Sequence, residues 1–217
     1  MPRTALLVFA KPPLPGVAKT RLIPALGAAG AAHLAAALLA HAVDEAARAG
    51  LGPLSLYTTA RHPLLARLAR RHGARRRVQR GADLGERMAQ ALRRACRDAP
   101  CALLLGADCP GLDASTLRRA AQALAQAELV FVPAHDGGFV LVGCRAAAAA
   151  ALERVFSAQA WGVADVMQRM RLRMRELGLR WIELEALADI DTPADLAALP
   201  AALRQALHDG FPCAACC

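Results

Sequence analysis

Aromatic residues are scarce in this 217-residue chain, 4% with a single tyrosine, and lysine is scarcer still: Lys11 and Lys19 are its only two. So few rings leave little on which the bases of a single strand could stack. Long apolar runs are also missing. The nearest approach to a membrane span, Ala28 to Val43, is broken by His33 and His41 and falls short of about 18 uninterrupted apolar residues. Seven cysteines make an odd number, and the opening MPRTALLVFAKPPLPG holds one short apolar run stopped by a lysine and two prolines. That start does not read as a secretory leader, so a disulfide framework is not expected. The expectation is a cytoplasmic protein with reduced thiols and no membrane span.

What is present is apolar bulk and arginine. Hydrophobic residues make up 56% and charged residues 21%, enough for a large core in one globular domain. The net charge of +9 is carried almost wholly by arginine. Its densest stretch, Arg67 to Arg80, holds seven arginines, of which Arg67, Arg70 and Arg71 are spaced as the wet face of a short helix. A solvated face explains that run better than a nucleic-acid interface does, and no nucleic-acid partner is expected.

Short β-type runs alternate with longer helical patterns. Strands are expected at Thr4–Ala10, Pro53–Thr59, Arg75–Gln79, Cys101–Gly106, Glu128–Pro133, Phe139–Cys144 and Arg180–Leu184. Helices are expected at Ala28–Ala49, Leu64–His72, Leu84–Asp98, Asp113–Ala127, Ala146–Val155, Val163–Leu177 and after Pro193, with Asp113 as an N-cap. The alternation predicts an α/β fold with a mostly parallel central sheet flanked by helices. In such sheets ligands bind beyond the carboxyl ends of the strands, which directs attention to five segments.

Lys11-Pro-Pro-Leu-Pro-Gly-Val-Ala-Lys-Thr-Arg21 follows the first strand, with three cations stiffened by three prolines and opened by Gly16. Both lysines of the chain lie there, a loop suited to phosphate oxygens although it is no Walker A motif. Gly106-Ala-Asp108-Cys-Pro-Gly111 puts a carboxylate where a buried strand turns, a hard-oxygen ligand for a divalent metal that holds phosphates. Asp136-Gly137-Gly138 reads equally as a hairpin turn and as a turn that a ligand approaches closely, with His135 beside it. In Asp189-Ile-Asp191-Thr-Pro-Ala-Asp195, a helix start explains Thr192, Pro193 and Asp195 and leaves Asp189 and Asp191 as surplus carboxylates for a metal. Gly85 and Arg87 open a helix that Asp83 caps, a place for an anion or a base edge as much as an ordinary helix start.

In this order, KPPLPGVAKTRL, DLGERM, GADCPGL, PAHDGGFVLVG and DIDTPADL resemble the bacterial GT-A-like transferase family described as glycosyltransferases and found beside radical-SAM, selenodomain and arsenosugar genes. The similarity runs from about residue 5 to residue 198. Relatives in the nucleotide-diphospho-sugar transferase superfamily include molybdenum-cofactor and phospholactate nucleotidylyltransferases. The resemblance implies a single three-layer GT-A (Rossmann-like) domain, set at residues 1–212, and the Cys-rich tail at 213–217 has no counterpart in that family. It implies a nucleotide near Lys11, Gly16, Lys19, Arg21, Gly85 and Arg87, and a Mg²⁺ or Mn²⁺ shared by Asp108 and Asp191. Asp108, Lys19 and Asp136 would then carry catalysis, Asp136 as the candidate base, with Gly137, Gly138 and Trp161 toward the acceptor. The implied activity is a metal-dependent glycosyltransferase with a nucleotide-sugar donor and a small-molecule acceptor. The alternative is a nucleotidylyltransferase that couples an NTP to a phosphorylated or carboxylated acceptor. This chain has Phe139-Val140 and Trp161-Gly162-Val163 where the family often has Tyr-Tyr and Trp-Ser-Thr, and the lost hydroxyls leave the acceptor open.

Overall fold

The computed structural model describes residues 3–157 and 160–208, so the FPCAACC tail with Cys213, Cys216 and Cys217 lies outside the described residues. Seven strands form one sheet: β1 (Thr4–Ala10), β2 (Leu54–Thr58), β3 (Arg75–Val78), β4 (Cys101–Gly106), β5 (Leu129–Pro133), β6 (Phe139–Arg145) and β7 (Trp181–Glu183). Their spatial order is β3-β2-β1-β4-β6-β5-β7, and β6 runs antiparallel to both of its neighbours while the remaining pairings are parallel. Around the sheet lie α1 (Ile23–Ala49), α2 (Pro63–Arg71), α3 (Leu84–Ala95), α4 (Ala114–Ala123), α5 (Leu152–Phe156), α6 (Val166–Glu176) and α7 (Ala201–His208).

Every residue of β1 is buried, as a strand covered on both faces requires. Its side chains alternate between two apolar layers. Leu6 and Val8 join Leu56, Leu103 and Leu105 beneath α1, α2 and α4, whereas Leu7 and Phe9 join Leu104, Phe131 and Val142 beneath α3, α5 and α6. Helix α1 is long and apolar enough to cross a membrane by length and composition. Here its Leu34, Leu38, Leu39 and Val43 are buried in the core. It begins earlier than the expected Ala28 because a first turn at Ile23 is joined to the long helix through a kink at Gly27, where φ is +69°.

Other boundaries moved for local reasons. The Ala146–Val155 helix is a 3-10 turn over Ala146–Ala151 followed by the short α5, and α6 starts at Val166 after a loop turned by Gly162 at φ +78°. The helix after Pro193 splits into a 3-10 turn, Pro193–Ala198, and α7. Asp113 caps α4 as expected, accepting from the Thr116 amide at 2.8 Å.

Candidate functional site

The loop between β1 and α1 drives Lys19 into the protein. Lys19 holds a left-handed backbone (φ 51°), the one positive φ outside glycine among the described residues, and its side chain is only 4% exposed. A strained residue that persists must be fixed by its surroundings. Here the ammonium donates to the Ile190 carbonyl at 2.5 Å and lies 2.9 Å from Asp108 Oδ1 and 3.6 Å from Asp191 Oδ1. Arg21 holds the other Asp191 oxygen at 2.7 Å. Three of the five segments therefore meet at one buried cation.

Asp108 is held in place by the backbone around it. The Ile190 amide donates to the Asp108 carbonyl at 3.0 Å, and His41 Nε2 lies 3.0 Å from the Pro110 carbonyl two residues on. Between them Cys109 is buried, and burial pushes its thiol up to about 11, so it stays protonated and packs as a small apolar group. Asp195 accepts from the amides of Asp191 and Thr192 at 3.0 and 2.6 Å, which fixes the second carboxylate at the head of its 3-10 turn.

This cluster borders a cleft of about 510 Å³, within the range of small-molecule sites. Lys11, Lys19, Asp108 and Asp191 line one part of it, and Asp136, Gly138 and Trp161 another. Leu84, Arg87 and Met88 from the start of α3 also face it. Trp161 is wedged edge-on against Phe139 and Phe156, and its indole N–H is buried without an acceptor among the described residues. A buried donor without a partner carries a desolvation cost of about 1 to 3 kcal/mol that an incoming acceptor oxygen removes.

Gly16, Arg21, Gly85, His135, Gly137 and Asp189, singled out in the sequence, do not line the cleft. Gly16 is an exposed turn at φ +76°, and Arg21 reaches the site only through Asp191. Gly85 is buried under Trp161 and Phe156, where an added Cβ would come within 2.6 Å of the indole. Gly137 packs its backbone on Ala164 and accepts from the Met167 amide at 2.9 Å, so its bareness serves loop packing. His135 Nε2 lies against the Ala186 carbonyl at 3.2 Å. Asp136 lines the cleft and closes the hairpin as well, accepting from the Gly138 amide at 2.9 Å. Asp189 is half-buried, and burial and then the charge of Asp136 hold its carboxyl above the usual carboxylate range. Gln79 was missed as a site residue: from the end of β3 it donates to the Ala10 and Tyr57 carbonyls at 3.3 and 3.2 Å and lines the cleft. Its place just past a short strand was the available signal.

Among the described residues no three His, Cys, Asp or Glu side chains gather around one point. The donor set still suits a divalent ion of the Mg²⁺ type, which is commonly held by one or two carboxylates together with substrate phosphates. Asp108 and Asp191 are 55% and 41% exposed at their side chains, so both can be reached from the cleft.

The sequence matches a family described as an uncharacterized protein conserved in bacteria, DUF2064, over residues 35–163. No curated protein matches the chain. Among solved structures it is similar to a protein from Desulfovibrio desulfuricans G20 assigned as a nucleotide-diphospho-sugar transferase, with 30% identity over 88% of this chain and 84% of that one and a TM-score of 0.79. It shares the fold of a CMP:2-keto-3-deoxy-manno-octonic acid synthetase complexed with CTP, at 14% identity over 94% and 99% of the two chains and a TM-score of 0.58. It also shares that of a 4-diphosphocytidyl-2C-methyl-D-erythritol synthase from Anaerococcus prevotii DSM 20548, at 11% identity over 93% and 98% and a TM-score of 0.61. The sheet is thus of the nucleotide-diphospho-sugar transferase type, and the chain is an enzyme of the transferase class. With the family profile matched over more than half its length, the protein belongs to the DUF2064 family of bacterial proteins.

Proposed function

We propose that the protein is a metal-dependent glycosyltransferase that takes a nucleotide-sugar donor. The observation that carries this reading is the buried Lys19 ammonium set between Asp108 and Asp191 at the edge of a cleft that holds Asp136 and Trp161 as well. Asp108 and Asp191 would hold the ion, which when bound neutralises charge on the diphosphate. Lys19, fixed by the Ile190 carbonyl, favours the developing negative charge of the nucleoside diphosphate as it leaves the anomeric carbon. Lys11, from the same loop, adds a second cation. Asp136 uses one oxygen in its turn and has the other to take the proton from an acceptor hydroxyl. Trp161 offers a ring face and an unpartnered N–H to the sugar or acceptor.

Both lysines lie in one loop beside two carboxylates, an arrangement equally suited to a triphosphate, and this favours nucleotidyl transfer with loss of pyrophosphate as the second reading. A thermal-shift screen of nucleotide sugars and NTPs, with and without Mg²⁺ or Mn²⁺, separates the two. A ligand at 100 times its dissociation constant adds about 2.7 kcal/mol, or roughly 5 to 11 °C for a protein of this size. Metal-dependent stabilisation by one nucleotide sugar supports the proposal, and stabilisation by a bare NTP alone moves the assignment to nucleotidyl transfer. Asp108→Ala should remove the metal-dependent part of the shift while its own far-UV spectrum stays native; turnover retained in that variant would refute the assigned role.

A further inference from the structure

A second cleft, of about 530 Å³, opens on the outer half of the sheet, and arginine dominates its lining. Helix α3 packs on β4 and β1, and β2 and β3 lie beyond them toward the sheet edge. The parallel register sets Arg75 beside Ser55 and Arg77 beside Tyr57 on these two strands. Across the trough α3 presents Arg93 and Arg94, with Arg97 just past its end, while Arg76 and Arg80 stand along the sheet edge. Tyr57 forms part of the floor; burial pushes its hydroxyl up, and the charges of Arg77 and Arg94 pull it back, which marks both guanidinia as its neighbours.

These charges are poorly compensated. Among the described residues Arg93 has an acidic partner, Glu153, while Arg76, Arg77, Arg80, Arg94 and Arg97 form no ion pair. Asp98 borders the adjoining hollow at the lower end. Like charges crowded into a concavity repel, and a low-dielectric floor strengthens that repulsion. A bound anion relieves it. Guanidinium matches the geometry of phosphate oxygens with paired hydrogen bonds, and several converging on one hollow select a ligand with more than one phosphate. The hollow is the size of a single small molecule, and its one aromatic residue, Tyr57, is only 6% exposed, so a nucleic-acid strand finds neither a track nor a stacking platform. Arg87 lines both this cleft and the one that contains Lys19 and Asp108, so the two adjoin.

We propose that the arginine cleft formed by β2, β3 and α3 is a second ligand site, which binds a compact anion carrying two or more linked phosphates. It does not depend on which transfer the first cleft performs.

Isothermal titration of the full chain with sodium tripolyphosphate tests this, with orthophosphate and a 20-nucleotide single strand as controls. Binding should weaken at least tenfold in Arg77→Gln/Arg94→Gln and persist in Lys19→Met, which alters only the first cleft. Orthophosphate should bind at least tenfold more weakly than tripolyphosphate. A second pair, Arg80→Gln/Arg97→Gln, should weaken binding in the same direction, and thermal melts of both variants show whether they fold. Wild-type affinity in both arginine variants, or loss of all binding in Lys19→Met, would overturn the proposal. So would tighter binding of the single strand with a steep salt dependence, which would make the surface a nucleic-acid interface.

Discussion

A lysine buried between two carboxylates is a demanding choice at the residue scale. Its charge must be matched in place, and the Ile190 carbonyl supplies the hydrogen bond that water cannot. Arginine is a poor substitute, because the planar guanidinium is wider than an ammonium and needs in-plane partners, whereas Lys19 Nζ is shared among oxygens of three residues. Lys19→Met should lower stability by about 1 to 3 kcal/mol, since a charged hydrogen bond is lost and two acids face each other. Lys19→Arg should lose at least as much nucleotide-dependent stabilisation as Lys19→Met does, although it keeps the charge. Recovery of the wild-type shift by arginine would mean that position 19 needs only positive charge. Lys19 and Asp108 stood out as candidates because each lies in a loop rich in proline or glycine after an apolar run, and Asp191 because the helix start at Thr192 left its charge unexplained. Their ion pairing was not legible, because no local pattern states that residues so distant in sequence share one cation.

Elements depend on ends and contact points more than on propensity. Helix α4 begins with Asp113 over the Thr116 amide, and Glu45 of α1, itself buried, accepts from the Ala114 amide at 2.9 Å. Two carboxylates thus satisfy the orphan amides at the positive end of one helix. The Thr116 amide, ahead of hydroxyls from Thr116 and Ser115, holds the Asp113 carboxyl below its ordinary range. A lowered folded value means stability that is present above the unfolded value and lost as pH falls through the folded one. Asp113→Ala should therefore cost about 1 kcal/mol at neutral pH, with the gap from wild type closing as denaturation is repeated below about pH 4. A gap that is constant with pH would show that the carboxylate charge contributes nothing. The Asp113 cap was readable in the sequence; Glu45 was not, since a glutamate inside an alanine-rich helix looks like any solvated charge. At the β5–β6 turn, Gly137 has φ +90° and a Cβ there would fall within 1.8 Å of the Ala164 carbonyl oxygen. Gly137→Ala should cost about 2 kcal/mol or more in a denaturant melt, from strain and overpacking together. A variant as stable as wild type would mean that the loop at Ala164 gives way to the added Cβ without cost.

Over the whole molecule, alternation of strands and helices announced the α/β class, whereas the Asp-Gly-Gly turn, open in the sequence between a hairpin and a ligand-side turn, joins β5 and β6 as an antiparallel pair. Nothing local announced that β6 would be inserted antiparallel against β4, with Leu105 opposite Leu141 and Ala102 opposite Cys144. That pairing is decided by which apolar faces fit, and β4 and β6 are both apolar runs that many registers would accept. Charge distribution was legible only in total. The sequence displays a net +9 and an arginine run at 67–80, but the fold sets β3 from that run across a cleft from the arginines of α3 and concentrates repulsion there. This yields a prediction about the molecule as a whole. Screening shortens to about 10 Å at 0.1 M salt, so raising NaCl from about 20 to 200 mM should relieve the arginine face more than it weakens the buried Lys19 cluster. The melting temperature should rise by roughly 2 to 4 °C for each kcal/mol of repulsion removed. Arg77→Gln/Arg94→Gln should start higher at low salt and respond less. Equal salt responses in the variant and the wild type would place the repulsion elsewhere on the surface, and a fall with salt would make attractive ion pairs the larger electrostatic contribution to this fold.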